Sequence, residues 1–305
     1  MEVAPATRRA RTRRASRLLT LGLLACLALQ ALAQEPGALR FGILPLGGPA
    51  ESRQDWKPFL DDMAAYLEAP VHGVSASTYE GIAQAMDEGR VDIAFLSGQL
   101  ALAAVLDHGM EVAVQLARID GSSGYHAVLL VSTEGDVANL GAVLGHADRW
   151  RLARGEARSV SGYLAPETLL FAARGIDSDL HFAEVRVDNH QNNALAVANG
   201  EVDVATGNSA DLERFAQRFP LEYERLRVVW ESPPIPHATM VVSSRLPVET
   251  RARLRLFLVG YGQSPGEAGE RERANLRRIH ELSGFRRADN RTLLPFLDMQ
   301  YQLER

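Results

Sequence analysis

The sequence predicts an α/β fold made of two similar lobes with mainly parallel sheets. Between Leu39 and Leu116, short β-rich segments alternate with amphipathic helices, a pattern typical of parallel βαβ units. A second observation is a repeat, because Gly89–Ala94 (GRVDIA) returns 111 residues later as Gly200–Ala205 (GEVDVA). The length of 305 residues, with 46% hydrophobic residues, suits about two globular domains.

The first copy of the repeat contains four predicted strands and three predicted helices. The strands are Leu39–Leu44, Val71–Ala76, Val91–Leu96 and Val112–Leu116. A helix around Trp56–Leu67 follows from apolar residues at helical spacing, and two more are predicted at Tyr79–Glu88 and Gln99–Asp107. Gly89 ends the helix that begins near Tyr79, as glycine commonly does.

The 111-residue offset also relates positions where a ligand could bind. Tyr79 in the first copy is equivalent to His190 in the second, and each is at the start of a helix. The loop Leu46–Ser52 is likewise equivalent to Ala157–Tyr163. Ligands of open α/β sheets bind beyond the carboxyl ends of the strands, where loops lead into helices. If the lobes face each other, these four places converge on one cleft.

The first 33 residues are predicted to be a signal peptide, cleaved after Ala33. A basic stretch of six arginines from Arg8 to Arg17 precedes the apolar segment Leu18–Leu29, and Ala31–Ala33 matches a signal peptidase site. Two alternatives stay open, an uncleaved membrane anchor and a lipoprotein attached through Cys26. With cleavage after Ala33, the mature chain has no cysteine and is expected in the periplasm.

The charge distribution excludes several partners. Residues 1–33 carry a net charge of +5 and the remaining chain a net charge of −10. An acidic body argues against nucleic acid and against anionic membranes. A monomer is expected, and any bound anion has to be held by local geometry.

One loop has the composition of an anion site. Ser159, Val160, Ser161 and Gly162 precede Pro166, which is tolerated in the first turn of a helix. The serine hydroxyls and the amides of a helix start could hold an anion without formal positive charge. Plain capping of the helix by serine is the alternative, and Arg158 could add charge or be exposed.

Enzyme motifs and metal-ligand spacings are absent from the sequence. Ser161, His190 and Asp188 invite a nucleophile hypothesis. Asp188 and His190 fall in a strand-like segment, however, which argues against that arrangement. We therefore expect no catalytic residues, no metal and no cofactor.

Five segments of the chain, including the Ser159–Gly162 loop and the helix starts at Tyr79 and His190, resemble the substrate-binding proteins of phosphonate, phosphite and phosphate ABC transporters. The likeness covers nearly all of the mature chain, and its most specific parts are Ser159–Pro166 and Ser232–Pro236. Three further segments carry it: Tyr79–Ala94, His190–Asp203 and Leu282–Asn290.

The resemblance implies a type II periplasmic binding protein fold, with a hinge of two crossover strands. Lobe one would comprise residues 39–128 and 236–305, and lobe two residues 129–235. The resemblance also implies that a phosphorus oxyanion is held by the loop Ser159-Val160-Ser161-Gly162 and by Tyr79, Tyr125 and His190.

Two departures from the family pattern concern the ligand. Val160 stands where the family has threonine, so one hydroxyl is missing. His237-Ala238-Thr239 follows the Ile-Pro turn, where members that bind aminoalkyl phosphonates carry an acidic partner for the amine.

We therefore expect a receptor that passes a small phosphorus oxyanion to an ABC permease. A ligand-sensing partner of a membrane sensor and, third, an α/β hydrolase are the alternatives. The role of Leu46–Pro49 stays open.

Overall fold

A computed structural model describes residues 37–44, 49–279 and 282–304. The predicted signal peptide at 1–33, Cys26 and most of the Leu46–Pro49 loop lie outside these residues. Across the described ranges, no helix combines the length and apolar character needed to cross a membrane.

The first sheet contains strands from both ends of the described chain. Its strands are β1 (Leu39–Ile43), β2 (Val71–Ser75), β3 (Ile93–Leu96), β4 (Met110–Arg118), β12 (Thr239–Ser243) and β13 (Leu282–Arg287). Their order across the sheet is β13-β4-β12-β3-β1-β2. The helices that follow these strands are α1 (Pro49–Leu67), α2 (Tyr79–Asp87), α3 (Gly98–Asp107), α9 (Val248–Gly260), α10 (Gly266–Arg278) and α11 (Leu294–Leu303), with a 3₁₀ turn at Asn290–Leu293.

Aromatic side chains form the centre of this half of the molecule. The Trp56 ring lies 5.2 Å from Phe41, 5.5 Å from Phe59 and 5.1 Å from Phe95, centroid to centroid. Trp56 and Phe59 are on α1, whereas Phe41 and Phe95 are on β1 and β3. The apolar face predicted for α1 therefore packs on the sheet, as the helical spacing of its apolar residues requires.

The second sheet is built from the middle of the chain. Its strands are β6 (Ala127–Ser132), β7 (Arg151–Arg154), β8 (Glu184–Val187), β9 (Val204–Asn208) and β10 (Leu226–Glu231), in the order β10-β6-β9-β7-β8. Its α-helices are α4 (Leu140–Gly145), α5 (Ser178–His181), α6 (His190–Ala198), α7 (Ser209–Arg218) and α8 (Pro220–Tyr223). After β7 the chain forms π-helical turns at Val160–Leu164 and Pro166–Phe171 and a 3₁₀ turn at Ala172–Arg174.

Both sheets are mixed, although the strands of each repeat are parallel as predicted. β1 pairs in parallel with β2 and β3, and β7 pairs in parallel with β8 and β9. The antiparallel pairs include β12 with β3 and β6 with β9. The chain crosses from one sheet to the other just before β6 and again just before β12. Each of these two strands is therefore antiparallel to the repeat strand beside it.

The crossing segments pair with each other. β5 (Gly124–Tyr125) and β11 (Ile235–Pro236) form a two-stranded antiparallel ribbon. A Cβ atom on Gly124 would lie 2.4 Å from the Ile235 carbonyl oxygen, so this close approach requires glycine. The predicted lobe boundaries, at 128/129 and 235/236, stay predictions.

The structure confirms the internal repeat to the residue. Helices α2 and α6 begin 111 positions apart and both contain 9 residues, and α3 and α7 begin 111 positions apart with 10 residues each. Arg40 Nε donates to Asp92 Oδ2 at 2.8 Å, and Arg151 Nε donates to Asp203 Oδ2 at 2.9 Å. The same ion pair therefore joins the first strand of each repeat to its Gly-x-Val-Asp turn.

Replacing Asp203 with asparagine should lower the free energy of unfolding by about 1–3 kcal/mol, the usual range for a lost charged hydrogen bond. Burial raises the pKa of Asp203, but hydrogen bonds from the Arg151 side chain and backbone outweigh burial and hold it below its ordinary value. The pair with Arg151 therefore stabilises the fold fully at pH values above the ordinary aspartate pKa. This stabilisation is lost as the pH falls through the lowered pKa of Asp203 in the folded protein.

Urea unfolding of Asp203→Asn and of its repeat equivalent Asp92→Asn, at neutral and acidic pH, measures this effect. Asp61→Asn is the control, because Asp61 pairs with Lys57 on the exposed surface and its replacement should change stability by less than about 1 kcal/mol. Stability equal to wild type in both variants at neutral pH would contradict the prediction.

Candidate ligand-binding cleft

A cavity of about 90 Å³ lies between the two sheets and is lined by residues from both. It brings together six of the seven residues that the sequence singled out: Tyr79, Tyr125, Ser159, Val160, Ser161 and His190. The places that the 111-residue offset marked at the starts of α2 and α6 therefore do meet. A role for these residues in binding stays a prediction.

Tyr79 and His190 are placed by equivalent caps. Thr78 Oγ1 accepts from the Gly81 amide at 3.0 Å, and Asn189 Oδ1 accepts from the Asn192 amide at 2.9 Å. In addition, the Glu156 carboxylate accepts from the Tyr79 amide at 3.0 Å. This end of α2 is thus already occupied by a carboxylate, and Tyr79 contributes its phenol to the cavity.

The two tyrosines are hydrogen-bond donors. Burial raises the pKa of Tyr79, and the negative charge of Asp211 raises it further, against a smaller opposing effect of a hydrogen bond with Ser159. Burial likewise raises the pKa of Tyr125, opposed by a hydrogen bond with Ser161. Both phenols stay protonated at physiological pH, so each can donate a hydrogen to an anion.

Ser161 is at the centre of a polar network. Its Oγ lies 3.3 Å from His190 Nε2 and accepts from Asn208 Nδ2 at 3.3 Å. All three side chains are buried. Because buried polar groups need partners, this network holds the Ser161 hydroxyl at a defined position on the cavity wall.

The backbone at Gly162 is packed closely against other parts of the loop. Its amide donates to Ser159 Oγ at 3.1 Å, so Ser159 caps this turn, which is the alternative that the sequence left open. A Cβ atom on Gly162 would lie 2.7 Å from Gly155 Cα. The close approach at Gly162 is therefore between two backbone segments of the protein.

Arg158 does not reach the cavity. Its guanidinium pairs with Glu80 across the cleft, which corrects the alternative in which Arg158 adds charge to the anion site. Other ion pairs also span the two halves, from Arg118 to Glu213 at 2.6 Å and from Arg214 to Asp55 at 3.0 Å. These ion pairs join residues on opposite sides of the cleft.

Five further polar residues line the cavity that the sequence analysis did not propose as ligand contacts: Ser97, Arg118, Asn208, Asp211 and His237. Asn208 could have been found, since the 111-residue offset relates it to Ser97, the cap of α3, which also lines the cavity. Arg118 ends β4, and His237 follows the Ile-Pro turn. No motif marks Arg118 or Asp211.

Both histidines of the cavity are neutral at physiological pH. Burial lowers the pKa of His190, although the negative charge of Asp211 acts in the opposite direction. Burial also lowers the pKa of His237, and the positive charges of Arg118 and Arg286 lower it further. Arg118 is thus the cation among the described residues that line the cavity.

The Ser161–His190 contact is not part of a catalytic triad. A general base needs an acid that orients it, but Asp188 Oδ1 accepts from the Asn189 amide at 2.7 Å and from Asn192 Nδ2 at 2.8 Å. Asp188 therefore caps its own helix. The described residues also contain no group of three or more side chains able to hold a metal ion.

The chain matches known binding proteins over most of its length. Residues 41–293 match the family model described as ABC transporter, phosphonate, periplasmic substrate-binding protein. The phosphonates-binding periplasmic protein of Escherichia coli (strain K12) is 34% identical over 267 residues, covering 88% of this chain and 79% of that protein.

Solved structures agree in fold. A binding protein component of an ABC phosphonate transporter from Pseudomonas aeruginosa superposes with a TM-score of 0.82 at 31% identity, covering 88% of this chain and 87% of the other. PhnD1 from Prochlorococcus marinus, in complex with methylphosphonate, has a TM-score of 0.76 at 16% identity, covering 88% and 99%, and shows the fold. The fold is that of type II periplasmic binding proteins. The chain belongs to the periplasmic substrate-binding proteins of phosphonate ABC transporters, which are transport proteins and not enzymes.

Proposed function

We propose that this protein captures a small phosphorus oxyanion (a phosphonate, phosphite or phosphate) in the closed cleft and delivers it to an ABC permease. One observation carries the proposal. Tyrosine and serine hydroxyls from both halves of the molecule converge on one buried cavity that also contains an arginine. A tetrahedral oxyanion needs several donors at once, and this cavity supplies them.

Each residue has a distinct part in the proposed site. The phenols of Tyr79 and Tyr125 donate to phosphoryl oxygens from one lobe, and the hydroxyls of Ser159 and Ser161 and the ring of His190 approach from the other. Val160 contributes its backbone, and Gly162 allows the loop to turn tightly against Gly155. Each charge-assisted hydrogen bond contributes about 1.5–3 kcal/mol in a desolvated site.

Closure couples binding to transport. A ligand held by both lobes stabilises the closed form, because only that form makes all of the contacts. The ion pairs between Arg158 and Glu80 and between Arg214 and Asp55 are partly exposed. Exposed pairs contribute about 0–1 kcal/mol each, so ligand contacts add to the preference for closure.

The remaining features of the proposal concern location and assembly. Residues 1–33 direct the chain across the inner membrane and are removed after Ala33, and the mature protein acts as a monomer in the periplasm. Its acidic body supports a role without nucleic acid, since phosphate backbones are repelled by a net negative surface.

Titration calorimetry with phosphate, phosphite and methylphosphonate tests the function. We expect saturable one-to-one binding of at least one of these ligands, and no binding of ethanolamine, a cation of similar size. The purified mature protein should be used after unfolding and refolding, which removes any ligand carried from the cell. Absence of binding for all three oxyanions would refute the proposal.

A further inference from the structure

The cavity contains a carboxylate where an anion is expected to bind. Asp211 lies in the first turn of α7 and lines the same cavity as Ser161 and His190. Its negative charge acts to raise the pKa of Tyr79, Tyr125 and His190, which come from three different elements around the cavity. Among the described residues lining the cavity, Asp211 alone carries a carboxylate.

The position of Asp211 is held by its cap. The Asp211 amide donates to Asn208 Oδ1 at 2.8 Å, and Asn208 Nδ2 donates to Asp211 Oδ2 at 2.8 Å. The same Nδ2 reaches Ser161 Oγ at 3.3 Å. Asn208 thus ties the carboxylate to the hydroxyl at the centre of the proposed site.

A carboxylate in this place limits which anions can enter. It is an acceptor only, and it repels an approaching oxygen that carries no hydrogen. A ligand with a hydroxyl on phosphorus replaces that repulsion with a charge-assisted hydrogen bond.

Resting on the function proposed above, we propose that Asp211 is a specificity-determining residue that selects oxyanions carrying a proton on oxygen. The receptor would therefore take the singly charged form of a phosphonate or phosphate, with its P–OH donating to the Asp211 carboxylate. It would reject the doubly charged form, and it would reject sulfonates, which are tetrahedral and singly charged but carry no proton at neutral pH.

The groups around Asp211 allow a clean pH experiment. The titratable or charged groups that face it are Arg118, Tyr79, Tyr125, His190, His237 and, one turn further on α7, Arg214. The histidines are neutral and the tyrosines protonated at neutral and moderately alkaline pH, and arginine stays charged. A change of affinity across the second ionisation of the ligand therefore reports the proton on the ligand.

The test is calorimetry with methylphosphonate and methanesulfonate, neither of which has an amine. For wild type we expect methylphosphonate affinity to fall about tenfold per pH unit above the second pKa of the ligand, and methanesulfonate to bind at least about tenfold more weakly than methylphosphonate. In Asp211→Asn the pH dependence should largely disappear, and the ratio of the two affinities should fall at least about tenfold. Asp136→Asn, in an exposed loop, should behave as wild type.

Three results would overturn the inference: a pH-independent wild-type affinity, equal wild-type affinities for the two ligands, or an Asp211→Asn variant with unchanged selectivity. The wild-type measurements decide the matter even if Asp211→Asn does not fold, which thermal unfolding would reveal. Failure of the proposed function has a different signature, because wild type would then bind no phosphorus oxyanion at any pH.

Discussion

Replacing Ser161 with alanine should weaken the binding of methylphosphonate at least tenfold, which corresponds to about 1.4 kcal/mol. The variant loses a hydroxyl donor and also removes a partner of two buried groups, His190 Nε2 and Asn208 Nδ2, each 3.3 Å from Ser161 Oγ. Buried polar groups left unpaired cost about 1–3 kcal/mol. His190→Ala should have an effect of at least the same size, because it removes the ring that faces the same hydroxyl.

Calorimetry gives the affinity, and thermal unfolding shows whether each variant still folds. Ser132→Ala is the matched control, since Ser132 ends β6 and its Oγ accepts from the Glu134 amide away from the cavity. Folded Ser161→Ala and His190→Ala variants with wild-type affinity would show that the ligand binds elsewhere.

Replacing Gly162 with alanine should both lower the free energy of unfolding by about 1–3 kcal/mol, as overpacking usually does, and weaken ligand binding more than Ser161→Ala does. The added methyl carbon would lie 2.7 Å from Gly155 Cα and 2.8 Å from Ser159 Oγ. One contact is with backbone, which cannot swing aside, and the other is with the hydroxyl that caps the loop. The loop must therefore move, and Ser159 and Ser161 move with it.

Gly260→Ala provides the comparison. Gly260 is the exposed last residue of α9, and a Cβ atom there would meet no atom within 4 Å. Alanine at this helical position should leave affinity unchanged and raise stability by about 0.5–1 kcal/mol. A Gly162→Ala protein with wild-type stability and affinity would mean that the loop accommodates the methyl group without moving the serines.

The cavity differs from the anion site expected from sequence in the source of its donors. The sequence suggested amides at a helix start, but the Gly162 amide is paired with Ser159 and the Tyr79 amide with Glu156. The side chains that line the cavity include the hydroxyls of Tyr79, Tyr125, Ser159 and Ser161 and the guanidinium of Arg118. The Ser159 cap is local and is the alternative that the sequence left open, whereas the pairing of the Tyr79 amide with Glu156 joins residues 77 positions apart and depends on how the chain folds.

Local interactions by themselves determined the architecture of this protein. The 111-residue repeat, the capping residues Thr78 and Asn189, and the apolar spacing of α1 all act within one element or between neighbouring elements. The repeat and the apolar spacing predicted the two lobes and the helices that begin at Tyr79 and His190, and the caps Thr78 and Asn189 are seen in the structure. The repeat pattern predicted that Tyr79, His190 and the loop around Ser159–Ser161 meet at one cleft, and the family resemblance added Tyr125; all of them line the cavity.

Only the tertiary structure decided what surrounds those residues. Arg118 and Asp211 are 93 positions apart in the sequence and line one cavity, and the contact between Gly155 and Gly162 depends on where the loop after β7 returns. The mixed strand direction of both sheets likewise follows from the crossing of the chain between them. The cavity lining, the loop contact and the strand directions all depend on contacts between segments that are distant in the sequence. Such contacts cannot be predicted from local periodicity or from helix caps.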